Sequence, residues 1–92
     1  MEPIKAIVTV LGQDQVGIIA GVCNLLAAEQ VNVLDISQTI LQGYFTMMMV
    51  VDVAACATPF DELSQQLRTF GEGRGLVIRI QREDIFDAMH KI

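Results

Sequence analysis

Residues 31–53, VNVLDISQTILQGYFTMMMVVDV, decide the fold. Apolar and polar side chains alternate over 31–41, which predicts a strand with one wet face. Residues 44–53 are apolar on both faces, which predicts a strand covered on both sides. The two-residue link Gln42-Gly43 joins them, so the pair is predicted to form an antiparallel hairpin. The apolar face of the first strand consists of Leu34, Ile36 and Ile40, and its wet face of Asp35, Ser37 and Thr39.

A strand and a helix precede this hairpin. Residues 4–11 are apolar on both faces, which predicts another central strand. A polar turn bounded by Gly12 and Gly17 follows, and Asp14 within it is suited to be a helix N-cap. Residues 17–30 repeat apolar side chains at helical spacing, which predicts a helix. Its apolar arc is wider than one buried stripe needs.

A second helix and a fourth strand follow the hairpin. Thr58 is the predicted N-cap and Pro59 the first helical residue. Gly71 and Gly73 are predicted to end this helix. Alternation over residues 76–81 predicts the fourth strand, with one mixed face.

The order β-α-β-β-α-β predicts an α+β protein of the ferredoxin-like βαββαβ type. This is a four-stranded antiparallel sheet with two helices on one face. The first and third strands are expected at its centre and the second and fourth at its edges. Residues 83–92 carry apolar side chains on one side and predict a short C-terminal amphipathic helix. Met48 and Val50 are expected on the open sheet face, so the terminal helix, a second subunit or both must cover it.

Composition restricts the classes of function. The chain has 92 residues, which suits one domain, and 52% of them are hydrophobic. A net charge of −5 argues against nucleic-acid binding, which needs clustered Lys and Arg. No apolar run approaches the ~18 residues that span a bilayer, and Met1-Glu2-Pro3 does not begin a secretory signal. Cys23 and Cys56 form no CxxC pair, so we expect reduced thiols and a cytoplasmic protein without membrane association.

The loop over residues 12–17 carries the chemistry. It lies between a central strand and a helix, where backbone N–H groups and the positive end of the helix dipole favour a carboxylate. Asp14 beside them is suited to hold an ammonium group. Asn32 at the start of the second strand offers a donor and an acceptor toward the same ligand. The alternative is structural: Asp14 caps the helix, Gly17 permits close packing, and Asn32 ends a turn.

These residues resemble the ACT domain, a ferredoxin-like module. Its first loop reads approximately Asp-x-Pro-Gly-x-(Leu/Ile), and an Asn begins its second strand; here residues 14–19 are DQVGII and 31–33 are VNV. The resemblance covers residues 4–81, and residues 83–92 are similar to the tail of small stand-alone ACT proteins of unassigned function. Residues 1–92 are thus expected to form a single ACT-like domain. Val16 departs from the usual Pro.

The resemblance implies a homodimer that binds amino acids at the subunit interface, usually to regulate an attached enzyme. Because no catalytic or DNA-binding domain is expected here, either the regulated target is another chain or there is none. The predicted ligand-binding residues are Gly12, Asp14, Gln15, Val16, Gly17, Ile18 and Asn32.

We therefore expect a regulatory module for a small amino acid or related carboxylate, with no catalytic residue, metal ligand or cofactor. A phosphate hydrolase on this fold would need a cation in the first loop, which has none. The alternative function is a protein-interaction subunit that binds no small ligand and docks on a partner protein through its apolar helix or sheet face.

Overall fold

Six elements follow one another in the structure, a computed structural model that describes residues 2–83. They are β1 (Lys5–Gln13), α1 (Ile18–Ala28), β2 (Asn32–Leu41), β3 (Tyr44–Asp52), α2 (Phe60–Glu72) and β4 (Leu76–Arg82). The strand order is β2-β3-β1-β4, and each neighbouring pair is antiparallel. The predicted ferredoxin-like arrangement is confirmed, with β1 and β3 central and β2 and β4 at the edges. The predicted C-terminal helix lies outside the described residues, apart from Glu83.

Both helices pack on the same face of the sheet and form one core with it. β1 and β3 contribute every second side chain, because alternate strand residues share a face. Burial of one such side chain stabilises the fold by about 1.5–3 kcal/mol. The fully buried strand residues are Ala6, Val8, Val10, Met47, Met49 and Val51, and the helix residues packed on them include Val22, Leu26, Leu63 and Leu67. Neither helix among residues 2–83 is long and apolar enough to span a membrane.

The second strand differs from its prediction. Every residue of β2 from Leu34 to Leu41 is exposed, on both faces, so the expected covered face is wrong for one copy of the chain. Ile36 and Ile40 pair with Met49 and Phe45 and therefore share the helix-side face of the sheet. They are nevertheless 41% and 56% exposed. The physical reason is that α1 contacts β2 sparsely and leaves the rest of this edge uncovered.

The hairpin between β2 and β3 has the predicted two-residue link. Gln42 and Gly43 both have positive φ, 52° and 83°, as a type I′ turn requires. The β2–β3 pairing shifts register between Val33 and Asp35. A bulge of this kind bends an edge strand and makes its pairing less regular.

The helix ends differ from their predictions in three places. Gly17, not Asp14, is the N-cap residue of α1, and no side chain caps that helix. Pro59, not Thr58, is the N-cap residue of α2, while the Thr58 hydroxyl donates a hydrogen bond to the Glu29 carboxylate. Gly71 lies inside α2 instead of ending it, because α2 continues to Glu72 and a Cβ at Gly71 would lie 2.6 Å from the carbonyl oxygen of Leu76.

Gly73 does follow the last residue of α2 as its C-cap, as predicted. Its N–H donates to the carbonyl oxygen of Thr69 at 3.3 Å. The turn then reaches Gly75, whose φ of 70° reverses the chain into β4. This turn brings the end of α2 next to the end of β1, since Leu76 at the start of β4 pairs with Gly12.

Candidate functional site

The loop between β1 and α1 lies against the tip of the β2–β3 hairpin. The backbone N–H of Asp14 donates to the carbonyl oxygen of Gly43 at 2.8 Å. The side chains of Asp14 and Gln15 and the backbone of Gly17 are exposed. The loop is thus an open surface held at one side by the hairpin. Among residues 2–83, no side chain makes a hydrogen bond to the Asp14 carboxylate.

The first turn of α1 is left with free N–H groups. Gly17 has φ 88°, a conformation that glycine adopts without the strain of a side chain. The first helical hydrogen bond runs from Gly21 N–H to the carbonyl oxygen of Gly17 at 2.9 Å. The N–H groups of Ile18 and Ile19 precede it, no side chain caps them, and the first turn holds no acidic residue. Within the first turn of α1, no acidic side chain therefore compensates the positive end of the helix dipole.

Close packing explains why residue 12 is a glycine. A Cβ there would lie 2.6 Å from Leu76 Cδ2 and 3.0 Å from the carbonyl oxygen of Gly75. Gly17 shows the opposite situation, since nothing lies within 4 Å of a Cβ at that position. The close-packing explanation for Gly17 is therefore wrong, and its positive φ is the reason for glycine.

The two apolar residues of the predicted site face different surroundings. Val16 is fully exposed at the outer end of the loop, at 103% of its reference area. The side chain of Ile18 is 2% exposed and belongs to the core. Ile18 is thus available to a ligand through its N–H, not through its side chain.

Arg74 is a residue near this loop that sequence reasoning missed. Gln15 Nε2 donates to the carbonyl oxygen of Arg74 at 3.0 Å, across 59 positions of the chain. The Arg74 guanidinium lies over the Phe70 ring, 3.9 Å from its centroid, and Nη1 donates to the carbonyl oxygen of Phe70 at 3.2 Å. Phe70 packs against Gly21 of α1, where a Cβ would lie 2.4 Å from Phe70 Cζ. The signal available in the sequence was an arginine two residues before the predicted fourth strand.

Asn32 is not brought to the loop within one chain. It pairs with Asp52 at one end of the sheet, while Gln13 pairs with Tyr44 at the other. The eight steps along β3 between these pairs correspond to about 27 Å at ~3.4 Å per residue. The expectation that Asn32 reaches the same ligand as Asp14 is therefore wrong for a single copy.

The sheet order, the two helices on one face and the uncapped helix beside a glycine-bounded loop define a ferredoxin-like α+β module with an open polar loop site. A family model described as the ACT domain matches residues 5–81, so the chain belongs to the ACT domain family. ACT domains are commonly regulatory modules that bind small molecules.

The chain is similar to proteins of about the same length. The chain is 56% identical over 88 residues to a UPF0237 protein of Bifidobacterium longum, covering 96% of this chain and 98% of the relative. It is 51% identical over 88 residues to a UPF0237 protein of Listeria monocytogenes serotype 4b, covering 96% and 99%. The solved structure of an ACT domain protein from Streptococcus pneumoniae superposes with a TM-score of 0.81 at 43% identity, covering 97% of this chain and all of that one.

Proposed function

We propose that this chain is a non-catalytic regulatory module for a small amino acid or a related carboxylate, with its site at an interface between two copies. The observation that carries the proposal is the uncapped N-terminus of α1 beside the unpaired carboxylate of Asp14. The two groups have opposite electrostatic preferences and lie within one loop. An α-amino acid carries both matching charges, as two substituents of one carbon atom.

Different groups of the loop would bind the two charged groups of the ligand. The ligand carboxylate would accept hydrogen bonds from the N–H groups of Ile18 and Ile19, where the helix dipole favours an anion. The ligand ammonium would pair with Asp14 through a charge-assisted hydrogen bond. The hydrogen bond from Gln15 Nε2 to the carbonyl oxygen of Arg74 holds one side of this loop in place.

A second copy is proposed because Asn32 and Asp14 lie at opposite ends of the sheet in one chain. Two β2 edges pairing antiparallel about a two-fold axis would bring the start of one strand to the end of the other. The end of β2 adjoins the hairpin turn, and Gly43 in that turn contacts Asp14. The partner's Asn32 would thus approach the Asp14 loop, and the exposed apolar residues of β2 would be covered. We further propose that the module acts on another chain and works in the cytoplasm.

The test is a thermal-shift screen of the full chain against the twenty amino acids and several 2-oxo acids, at fixed protein concentration. A ligand at about 100 times its Kd stabilises the native state by about 2.7 kcal/mol. At about 4–8 °C per kcal/mol for a domain of this size, the shift is readily measured. Isothermal titration of the selected compound then gives its Kd.

Asp14→Ala distinguishes loss of ligand binding at this loop from a general loss of stability. The Asp14 side chain is exposed and makes no hydrogen bond within residues 2–83, so the change is expected to alter stability by less than about 0.5 kcal/mol. Loss of the ammonium partner is expected to weaken binding about tenfold or more, because bonds to charged groups contribute about 1.5–3 kcal/mol. Glu2→Ala removes another exposed carboxylate, outside this loop, and serves as the control. Equal Kd values for both variants, or no shift with any compound, would reject the proposed site.

The protein-interaction function is the second candidate, and one observation favours it. Leu11, Met48 and Val77 lie on the open sheet face and are 51%, 42% and 54% exposed. An apolar group of this kind is typical of surfaces that contact other proteins. Under this function the loop is structural only, and no small molecule shifts the melting temperature.

A further inference from the structure

A groove of about 500 Å³ follows the free edge of β4. Its floor is the outer side of the strand from Leu76 to Gln81, and its wall is a stripe of α2. The stripe consists of Ser64, Arg68 and Glu72, which recur every four residues and so lie on one side of the helix. The groove lies at the opposite edge of the sheet from β2.

The β4 edge is open to backbone pairing. Every second residue of an edge strand directs its N–H and C=O away from the sheet. For Leu76–Ile80, no hydrogen bond from any described residue reaches that outer side. The β1–β4 register runs without a shift, whereas the β2–β3 register contains an irregularity between Val33 and Asp35. The β4 edge is thus the more regular template for an added strand.

Two arginines line the groove. Arg68 and Arg79 do so together with one acidic residue, Glu72, in a chain of net charge −5. Arg68 projects from α2 into the wall of the groove, on the helix side of the sheet. Arg79 also lines the groove and, paired with Thr9, points to the open side. An added strand would have one arginine on each of its two faces.

A second copy of this chain is a poor occupant. In a symmetric antiparallel pair of β4 strands, the central residue faces its own copy, and the centre of Leu76–Arg82 is Arg79. Like charges directly opposite each other destabilise a strand pair. The same charge attracts an acidic segment.

From these observations we propose that the β4 edge binds an extended, acidic segment of another protein by strand addition. Main-chain hydrogen bonds to β4 supply the affinity, and Arg68 and Arg79 select acidic side chains on the two faces of the added strand. The module would then contact its partner at one edge of the sheet while the opposite edge, β2, remains available.

The first experiment uses a fluorescein-labelled peptide in which pairs of Glu alternate with Val-Thr pairs, so that an added strand carries Glu on both faces. Binding is measured by fluorescence anisotropy with the full chain at low ionic strength. The acidic peptide is expected to bind, with an affinity that falls as salt is added. A peptide with Lys in place of each Glu is expected not to bind. Absence of binding by the acidic peptide, or equal binding of both peptides, overturns the proposal.

Charge-reversal variants locate the contact. Arg79→Glu and Arg68→Glu are each expected to raise the Kd about tenfold, because an attraction is replaced by a repulsion. Lys5→Glu is the matched control, since Lys5 is also an exposed strand cation but lies on β1, away from the groove. A Kd that changes equally in Lys5→Glu and Arg79→Glu indicates general electrostatic attraction and overturns the proposal.

Amide hydrogen exchange tests the strand pairing itself. Bound peptide is expected to protect alternate amides within Leu76–Ile80 from exchange. A second test methylates the backbone nitrogens of either the odd-numbered or the even-numbered peptide residues. Only the set whose N–H groups face β4 is expected to abolish binding when methylated. Protection on β2 instead of β4 overturns the proposal. If the outward β4 amides are protected in the full chain without peptide, the edge is already paired by the chain's own C-terminal residues. That result also overturns the proposal.

Discussion

At the scale of single residues, Gly71 and Gly73 make a matched pair for testing what glycine does here. A Cβ at Gly71 would lie 2.6 Å from the carbonyl oxygen of Leu76 and 3.1 Å from Ile78 Cγ1. Backbone and core do not yield easily, so Gly71→Ala is expected to destabilise the protein by about 1–3 kcal/mol. At Gly73 the nearest atom is 3.9 Å away and φ is −67°, so alanine is expected to be neutral or to stabilise by up to about 1 kcal/mol.

The measurement for this pair is urea unfolding of both variants at one protein concentration, compared by midpoint at constant m-value. Equal midpoints for Gly71→Ala and the unchanged chain would contradict the close approach of α2 to β4. Sequence reasoning treats the two glycines alike, because both stand where a helix is expected to end. The two glycines differ only in how closely other atoms approach them, and at Gly71 those atoms belong to residues that follow it in β4.

The loop residues show the same limit of prediction. Asp14 was predicted as the helix N-cap because Asp is a preferred residue there, but the positive φ of Gly17 lets the helix begin three residues later. The place of Arg74 beside Gln15 could not be predicted, because it arises from β1–β4 pairing and not from spacing in the chain.

At the scale of elements, the C-terminus of α1 offers a test of backbone strain. Gln30 N–H donates to the carbonyl oxygen of Ala27 at 3.0 Å, and Val31 N–H to that of Leu26 at 2.9 Å, the bonding pattern of a Schellman motif. Its left-handed position usually holds glycine, but here Gln30 has φ 62°. Gln30→Gly removes a left-handed strain of about 1–2 kcal/mol and adds a chain-entropy cost of about 0.5–1 kcal/mol. A net stabilisation of about 0.5–1 kcal/mol is expected.

Ala27→Gly is the control for this prediction, because it places glycine in the same helix where φ is helical. It is expected to destabilise by about 1 kcal/mol, so the two glycine substitutions should move the unfolding midpoint in opposite directions. Destabilisation by both variants would show that the motif does not strain Gln30.

The elements themselves were largely predictable, and the reason is their periodicity. β1 and β3 are apolar on both faces and lie at the centre of the sheet, and the Gln42-Gly43 link forms the predicted hairpin. The exception is β2, whose alternation predicts a covered face that one chain does not cover. Alternation states which residues are suited to burial, but it does not state whether the covering surface belongs to the same chain.

At the scale of the whole molecule, the uncovered β2 edge and the distance between Asn32 and Asp14 point to the same conclusion. In one copy the apolar residues of β2 are uncovered and Asn32 lies far from Asp14. One antiparallel pairing of two β2 edges would cover those residues and bring the partner's Asn32 to the Asp14 loop. We therefore expect the protein to form a dimer whose dissociation also removes ligand binding. Sequence reasoning placed Asn32 in the site but had no means of assigning it to the partner subunit, because a single sequence carries no information about which copy supplies a side chain.

Ile36→Lys tests this dimer. Ile36 is 41% exposed on the helix-side face of β2, and a two-fold interface would bring two such lysines into one small region. Like charges across an interface cost several kcal/mol, so the dimer Kd is expected to rise about a hundredfold or more by analytical ultracentrifugation. Val77→Lys is the control, because Val77 is 54% exposed at the opposite edge. If both variants keep the same oligomeric state as the unchanged chain, the β2 pairing is wrong; if Ile36→Lys is monomeric yet binds the ligand with unchanged Kd, the site does not need Asn32 of a second copy.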